Sequence, residues 1–237
     1  MEEKVKISID LMGGDNSPDK TLLGIDLFVK RNKNKNDYFF YLFGDENIVG
    51  KKISKLKYLK SNYKLVDTKI VVSNDLSPLA ALKKGKGSSM WESIHSQISL
   101  NADVTLSAGN TGVLLVMSKL ILKTMNGIDK PALAGLWPND KDMNIVLDLG
   151  ANIDCSEKNL IDFSEMGSAL YRSLFHNETA KVALLNIGSE EVKGTETLKN
   201  AYSKLKILDG IGDFKFNGYI EGNQITDGKS NVIVTDG

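Results

Sequence analysis

Six consecutive residues, Ser107-Ala108-Gly109-Asn110-Thr111-Gly112, carry the sharpest chemical signal in the chain. Two glycines at that spacing allow a tight strand-to-helix turn with exposed backbone N–H groups. Backed by the dipole of the helix that follows, such a turn suits an anion. The pattern is neither a P-loop nor GxGxxG, and a plain strand–helix connection would look the same. Met12-Gly13-Gly14-Asp15 is a second Gly-bearing turn, although Gly-Gly-Asp also makes ordinary turns. Lys193-Gly194 stands just before Thr195, a residue fit to cap a helix. A cation at a helix start opposes the dipole, so Lys193 suggests an anion nearby, unless it is one more solvated lysine. Lys83, Lys84 and Lys86 precede Ser88 and Ser89; this basic cluster suits a phosphate, an acidic protein or plain water.

Other chemistries find little support. Cys155 is the single cysteine, which excludes a disulfide framework and a multi-Cys metal site and reads as a structural thiol. His95 and His176 have no partner at ligand spacing, and no HExxH occurs. No GxSxG elbow accompanies a serine, so a covalent serine nucleophile is not expected. The expectation is therefore no metal and no cofactor.

The elements that must position these turns alternate. Strands are read at Val5–Leu11, Tyr38–Phe43, Lys64–Val72, Asp103–Ser107, Pro131–Trp137, Asn144–Leu149, Val182–Asn186, Phe214–Tyr219 and Asn231–Thr235. Helices are read from Ser17-Pro18, as cap and first helical residue, to Lys30, then at Glu46–Leu59, from Ser88 or Ser89 to Leu100, from the SAGNTG turn to Thr124, and at Asn159–Phe175 and Thr195–Lys206. Arg31–Asp37 reads as a polar loop, and Asp75–Gly87 as irregular or partly helical. Strands alternating with helices imply an α/β fold: a doubly wound, mostly parallel sheet with helices on both faces, taken as one domain over 1–237. Ligands of such sheets bind outside the carboxyl ends of the strands. The turns expected on that edge are Met12–Asp15, Ser107–Gly112, Gly150–Asp154 with Asn152, Ile187–Glu196, and Asp236-Gly237.

Bulk composition excludes further classes. The 237 residues include 30 Lys+Arg and 30 Asp+Glu, so the formal charge is zero. A strongly basic nucleic-acid binder is not expected, because phosphate contacts need a concentrated cationic face. The basic residues are 28 Lys and 2 Arg, with 20 Asn; A/T-rich codons would produce that bias. The acidic N-terminus is not a secretory signal, and no 18-residue apolar window exists. The expected location is the cytoplasm. From the residues alone, the chain reads as an α/β enzyme or binder for a phosphate-bearing small molecule.

Six segments occur together in the order and spacing of one family: ISIDLMGGDNSP (Ile7–Pro18), SPLAALKKGKGSSM (Ser77–Met90), LSAGNTGVLL (Leu106–Leu115), GIDKPALA (Gly127–Ala134), LDLGANID (Leu147–Asp154) and LNIGSEEVKGTE (Leu185–Glu196). In them the chain resembles the bacterial phosphate acyltransferases of phospholipid synthesis, over essentially its whole length. The resemblance implies transfer of a fatty acyl group from acyl carrier protein to inorganic phosphate, giving acyl-phosphate. It implies an α/β/α fold related to phosphotransacetylases and isopropylmalate-type dehydrogenases. It marks Lys193 as catalytic, neutralising phosphate or an oxyanion. It places phosphate or the acyl-thioester at Asn110 and Thr111, with Gly13, Gly14, Asp15, Ser107, Gly109, Gly112, Asn152 and Asp236 as further substrate-binding positions. Lys83, Lys84 and Lys86 would then lie near the entry of acyl carrier protein.

Two departures stand out. The family usually carries Arg where this chain has Leu79-Ala80-Ala81-Leu82, which weakens the docking inference. The family also continues past Val234-Thr235-Asp236-Gly237 with Phe-Thr-Gly-Asn, whose Asn is a second catalytic residue, and with helices that build a homodimer and touch the membrane. A functional link to a membrane acyl-phosphate:glycerol-3-phosphate acyltransferase is implied. The 237 residues alone are expected to be nearly inactive and to lack the family dimer. The rival readings are an acyl-CoA:phosphate transferase of the phosphotransacetylase type and a non-catalytic remnant.

Overall fold

A computed structural model describes residues 4–32, 37–73, 75–176 and 178–236. Most of the polar loop read between Arg31 and Asp37, and Gly237 of the last turn, lie outside the described residues. The sequence reading takes 1–237 as one domain; the structure resolves two compact units, Met1–Lys123 and Thr124–Gly237.

The first unit holds a parallel sheet in the order β3-β2-β1-β4, from β1 (Val5–Asp10), β2 (Tyr38–Gly44), β3 (Tyr63–Asp67) and β4 (Val104–Leu106). The period-2 pattern of β1 decides its two faces. Ile7, Ile9 and Leu11 are buried in a cluster with Leu22, Ile25 and Val29 of α1 (Asp19–Arg31) and Val49 and Ile53 of α2 (Glu46–Ile53). Ser8 points the other way, and its hydroxyl donates to Ser93 O of α4 (Ser89–Ser99) at 2.8 Å. The sheet is thus covered on both faces. Helix α3 (Pro78–Lys84) and α5 (Thr111–Leu122) pack with α4 around Val72, Ala81, Met90, Ile94, Val113 and Met117.

Several boundaries differ from the sequence reading, and in the first unit three of the differences have a clear physical cause. Ser17 does not cap α1: its hydroxyl donates to Gly13 O, and the helix begins one residue late, after Pro18. The second helix ends at Ile53 instead of Leu59, because the Asp26 carboxylate accepts the amides of Lys57, Tyr58 and Leu59 at 3.2, 2.7 and 2.8 Å. Those three N–H groups point at one side chain and cannot enter a helical ladder. The third strand ends at Asp67 instead of Val72, because its partner β2 ends at Gly44, opposite Asp67.

Asp26 also supplies a pH prediction. Burial pushes its carboxyl pKa up, but the three backbone N–H bonds and the charge of Lys60 outweigh that and hold it below the usual value. A carboxyl whose folded pKa is depressed stabilises the fold above its unfolded pKa of about 3.9 and loses that contribution as pH falls through the folded value. Asp26→Asn is expected to be less stable at neutral pH and to show a shallower loss of stability on acidification below about pH 4. Urea unfolding midpoints from pH 7 to 3 measure this; parallel curves for parent and variant would refute it.

The second unit holds a sheet in the order β5-β6-β9-β7-β8, from β5 (Gly135–Pro138), β6 (Met143–Leu147), β7 (Ala180–Leu185), β8 (Phe214–Ile220) and β9 (Val232–Val234). Only the β5–β6 pairing is antiparallel. Near-continuous apolar runs in β6, β7 and β9 fit strands buried on both faces. Helix α6 (Glu157–Leu174) and α7 (Glu196–Leu208) place Leu160, Phe163, Leu198, Ala201 and Leu205 in one core cluster with Val182, Leu184 and Val232. Helix α6 comes close to the sheet at Gly167, where a Cβ would lie 2.6 Å from Val232 Cγ1. A glycine inside a helix weakens it, and here the gain is contact of the helix backbone with the sheet. The mostly parallel sheets flanked by helices are the α/β fold class read from the alternation of elements. No helix among the described residues is long and apolar enough to cross a membrane.

Candidate active site

The first unit builds one cluster at the carboxyl ends of β1 and β4. These strands pair with Ile9 opposite Leu106, so the next residues, Asp10 and Ser107, become neighbours. Asp10 is 1% exposed. Its Oδ1 accepts the amides of Met12 and Gly13 at 3.1 and 3.2 Å, and its Oδ2 accepts the Ser107 hydroxyl at 2.7 Å. Ser107 Oγ in turn accepts the Gly109 amide at 3.1 Å. One carboxylate thus organises both Gly turns. Gly13 sits so close that a Cβ would lie 2.5 Å from Asp10 Oδ2 and 2.9 Å from Gly109 N. Gly14 has φ +88° and Asp15 is exposed.

The SAGNTG turn does precede a helix, α5, whose first turn starts at Thr111. Asn110 is its N-cap, with Oδ1 accepting the Val113 amide at 3.0 Å. Ser107 Oγ and Asn110 Oδ1 therefore shape the turn. Helix geometry leaves the first amides of α5, at Thr111 and Gly112, without intrahelical acceptors, and Thr111 is exposed. Lys83, Lys84 and Lys86 are all exposed, the first two at the end of α3 and Lys86 between α3 and α4. Lys83 and Lys84 fall in the last turn of α3, where a cation favours the dipole.

The second unit builds its own cluster at the carboxyl ends of β6, β7 and β9. Asp148, fully buried just after β6, accepts the Leu133 amide at 2.8 Å through Oδ1. Its Oδ2 accepts from Asn152 N at 2.7 Å and Asn152 Nδ2 at 2.9 Å. Asn152 Nδ2 also donates to Pro131 O at 2.9 Å. The Asn152 amide thus closes its own loop, and the Leu133 bond keeps Pro131–Ala134 out of β5, which starts at Gly135.

A crevice of about 450 Å³ opens at the ends of β7 and β9, lined by Leu185, Asn186, Gly194, Thr195, Thr235 and Asp236 among others. Thr195 caps α7, with Oγ1 accepting the Leu198 amide at 3.3 Å. Asp236 is exposed, and its carbonyl accepts the Cys155 thiol at 3.6 Å. Burial, and then the charge of Asp148, push the Cys155 pKa up, so the thiol stays protonated. Lys193 stands on the turn before α7, and its Nζ is 3.4 Å from Glu190. The Glu190 carboxyl is held below its usual pKa by its own backbone amide and by Lys193. The lysine placed against its helix dipole therefore has a counter-charge within its own loop. Among the described residues no group of His, Cys, Asp or Glu has a metal-binding arrangement; His95 is half-buried on α4 and His176 exposed.

The sequence reading found the turns and missed what holds them. Asp10, Ser107, Asp148 and Asn186 share a pattern: an apolar strand, one polar residue at its end, one or two apolar residues, then glycine. It reads Ile9-Asp10-Leu11-Met12-Gly13, Leu106-Ser107-Ala108-Gly109, Leu147-Asp148-Leu149-Gly150 and Leu185-Asn186-Ile187-Gly188. In each case the polar side chain accepts an amide of the turn that follows. A polar residue closing a buried strand before a glycine was the available signal, because such a side chain needs a partner and the turn amides need an acceptor.

The chain is an α/β protein of mostly parallel sheets flanked by helices, a fold it shares with two solved structures. The chain is similar to EutD phosphotransacetylase from Staphylococcus aureus, with a TM-score of 0.67 and 16% identity over 98% of this chain and 78% of that one. It is also similar to a branched-chain phosphotransacylase from Enterococcus faecalis V583, with a TM-score of 0.61 and 14% identity over 98% and 79%. At such identities the likeness concerns the fold. In sequence, the family model described as "Fatty acid synthesis protein" matches residues 5–237. The phosphate acyltransferase of Pelagibacter ubique is 53% identical over all of this chain and 69% of its own length. That of Azorhizobium caulinodans is 40% identical over all of this chain and 66% of its own length. The chain belongs to this fatty acid synthesis family, whose curated relatives carry the name phosphate acyltransferase, and it spans about two thirds of their length.

Proposed function

We propose that this protein transfers a fatty acyl group from acyl carrier protein to inorganic phosphate. The observation that carries this reading is the Lys193-Gly194-Thr195 turn, a cation and a capped helix start beside a crevice at strand carboxyl ends. A phosphate oxygen attacks the thioester carbonyl, the C–O bond forms, the C–S bond breaks, and the carrier thiol leaves with the proton that phosphate gives up. Phosphate is itself the nucleophile, so the protein needs no covalent serine or cysteine. What the chain must supply is charge neutralisation and donors aimed at developing negative charge. Lys193 neutralises the anion, and the start of α7 adds its dipole. Acyl carrier protein, a homodimer and onward delivery of acyl-phosphate to a membrane acyltransferase belong to the same reading, with Lys83, Lys84 and Lys86 as the docking cations and the cytoplasm as the location.

Supplying acyl carrier protein or coenzyme A as the acyl donor tests the reading, in a chain extended to the length of the curated relatives. Phosphate-dependent consumption of the carrier-protein thioester is expected. Consumption of acyl-CoA alone would make it a phosphotransacetylase-type enzyme, and no consumption of either would leave a binding protein. Inorganic phosphate is further expected at the Ser107–Gly112 turn. A phosphate-soaked crystal with that turn empty and an anion bound elsewhere would count against the assignment.

A further inference from the structure

Lys193 owes its place to a loop that must close on itself. The chain leaves β7 at Leu185, runs through Ile187–Val192, and returns at Lys193 to start α7. Asn186 spans both ends of that loop. It is 7% exposed. Its Oδ1 accepts the Ile187 amide at 2.9 Å, and its Nδ2 donates to the Lys193 carbonyl at 3.1 Å. Gly194 makes the approach possible: its φ is +93°, and a Cβ there would lie 2.6 Å from Asn186 Oδ1. Gly188 supplies the floor on which the lysine stem rests, since a Cβ there would lie 2.8 Å from Lys193 Cδ.

We propose that Asn186 is the positioning residue of the Lys193 turn, clasping the loop so that the lysine is held at the start of α7 beside the crevice. The proposal rests on the reading of Lys193 as the anion-neutralising group. The side chain must give one acceptor and one donor at the same time, which a carboxamide does. Aspartate has the same shape and lacks the donor, so its oxygen would face the Lys193 carbonyl lone pairs. Alanine removes both bonds. A second anchor is exposed: Glu191 accepts from Tyr202 OH at 2.8 Å and from Lys206 Nζ at 2.9 Å. It fixes the middle of the loop to α7, whereas Asn186 holds the backbone of Lys193 itself.

Competitive acetylation of the 237-residue chain with acetic anhydride, read lysine by lysine across a series of inorganic phosphate concentrations, tests the proposal. In the parent, phosphate is expected to slow acetylation of Lys193 saturably. In Asn186→Ala and Asn186→Asp the phosphate midpoint for that protection should rise by about tenfold or more. Labelling of Lys181 and Lys215, on β7 and β8, should be unchanged, which shows that the sheet is intact. Tyr202→Phe, which loosens only the exposed anchor, should move the midpoint by less than about threefold. The isosteric Asn186→Asp carries the test if the alanine variant does not fold. A folded variant with the parental midpoint overturns the proposal. Absence of phosphate protection in the parent refutes the reading of Lys193 instead. The clasp is then judged by exchange of the Lys193 amide, which donates to Glu190 O at 3.0 Å; it is expected to quicken about tenfold in the variants, and unchanged exchange overturns it.

Discussion

Replacing Lys193 with alanine is expected to lower acyl-phosphate formation about 100- to 1000-fold, because removing a preorganised donor from a developing oxyanion costs about 2.7–4 kcal/mol. The fold should not notice. The Lys193 side chain is 49% exposed and pairs with Glu190 across 3.4 Å at the surface. Exposed pairs of this kind contribute about 0–1 kcal/mol. Stability and turnover are therefore separable at this position, which makes the experiment clean. Turnover is to be measured in a chain extended to the length of the curated relatives, beside a thermal unfolding curve. Activity within a few-fold of the parent would remove Lys193 from the mechanism. Equal loss of stability and activity would mean that the lysine holds the loop and does not act on substrate. An arginine at 193 keeps the charge but carries a planar fork in place of a compact ammonium, so partial recovery by Lys193→Arg would assign the effect to charge.

The elements that sequence legislated well are those whose signals are local. The caps at Ser77, Ser88, Asn110 and Thr195 each sit three residues before the amide they accept; Thr195 was readable as such from residue type, and Ser88 as one of two candidates with Ser89. The apolar runs of β2, β6 and β7 needed only their length and composition. What failed depended on a distant partner. Nothing within Glu46–Leu59 says that the helix stops at Ile53; the cause is Asp26 on α1, about 30 residues earlier in the chain, drawing three amides to itself. Within Pro131–Ala134 only Pro131, which has no N–H, argues locally against ladder pairing; that Asp148 takes the Leu133 amide is visible only in the fold. The site divides the same way. Glycine turns and a lysine out of place against a dipole were legible, because backbone freedom and charge are properties of single residues. The side chains that give those turns their shape were not, although their strand-end pattern recurs four times. A buried Asp read alone is ambiguous, and only its partners in the fold say what it is for.

Asp10 makes that dependence measurable. Asp10→Ala is expected to destabilise the first unit by about 2–6 kcal/mol, since the Met12 and Gly13 amides each lose their acceptor, and an orphaned buried donor costs about 1–3 kcal/mol. The Ser107 hydroxyl loses its acceptor as well, and with it the orientation that lets Ser107 Oγ receive the Gly109 amide. Gly13 cannot fill the void, having no side chain, and the parallel pairing of β1 with β4 fixes the spacing of the two turns. Asp10→Asn keeps one acceptor oxygen for Met12 and Gly13 and offers Ser107 an amide instead of a carboxylate. Ser107 Oγ has lone pairs enough to accept from both the new amide and Gly109, so the loss there should be about 1 kcal/mol, near that of one ordinary hydrogen bond. Urea midpoints for the parent, Asp10→Asn and Asp10→Ala give the series directly. Phosphate affinity at the proposed Ser107–Gly112 site should fall in the same order, because Asp10 and Ser107 shape the turn that presents the Thr111 and Gly112 amides. If alanine and asparagine behave alike, or alanine costs less than about 1 kcal/mol, the two turns hold their shape without Asp10. The organising group of the first cluster would then lie in the glycine backbone contacts between Gly13 and Gly109.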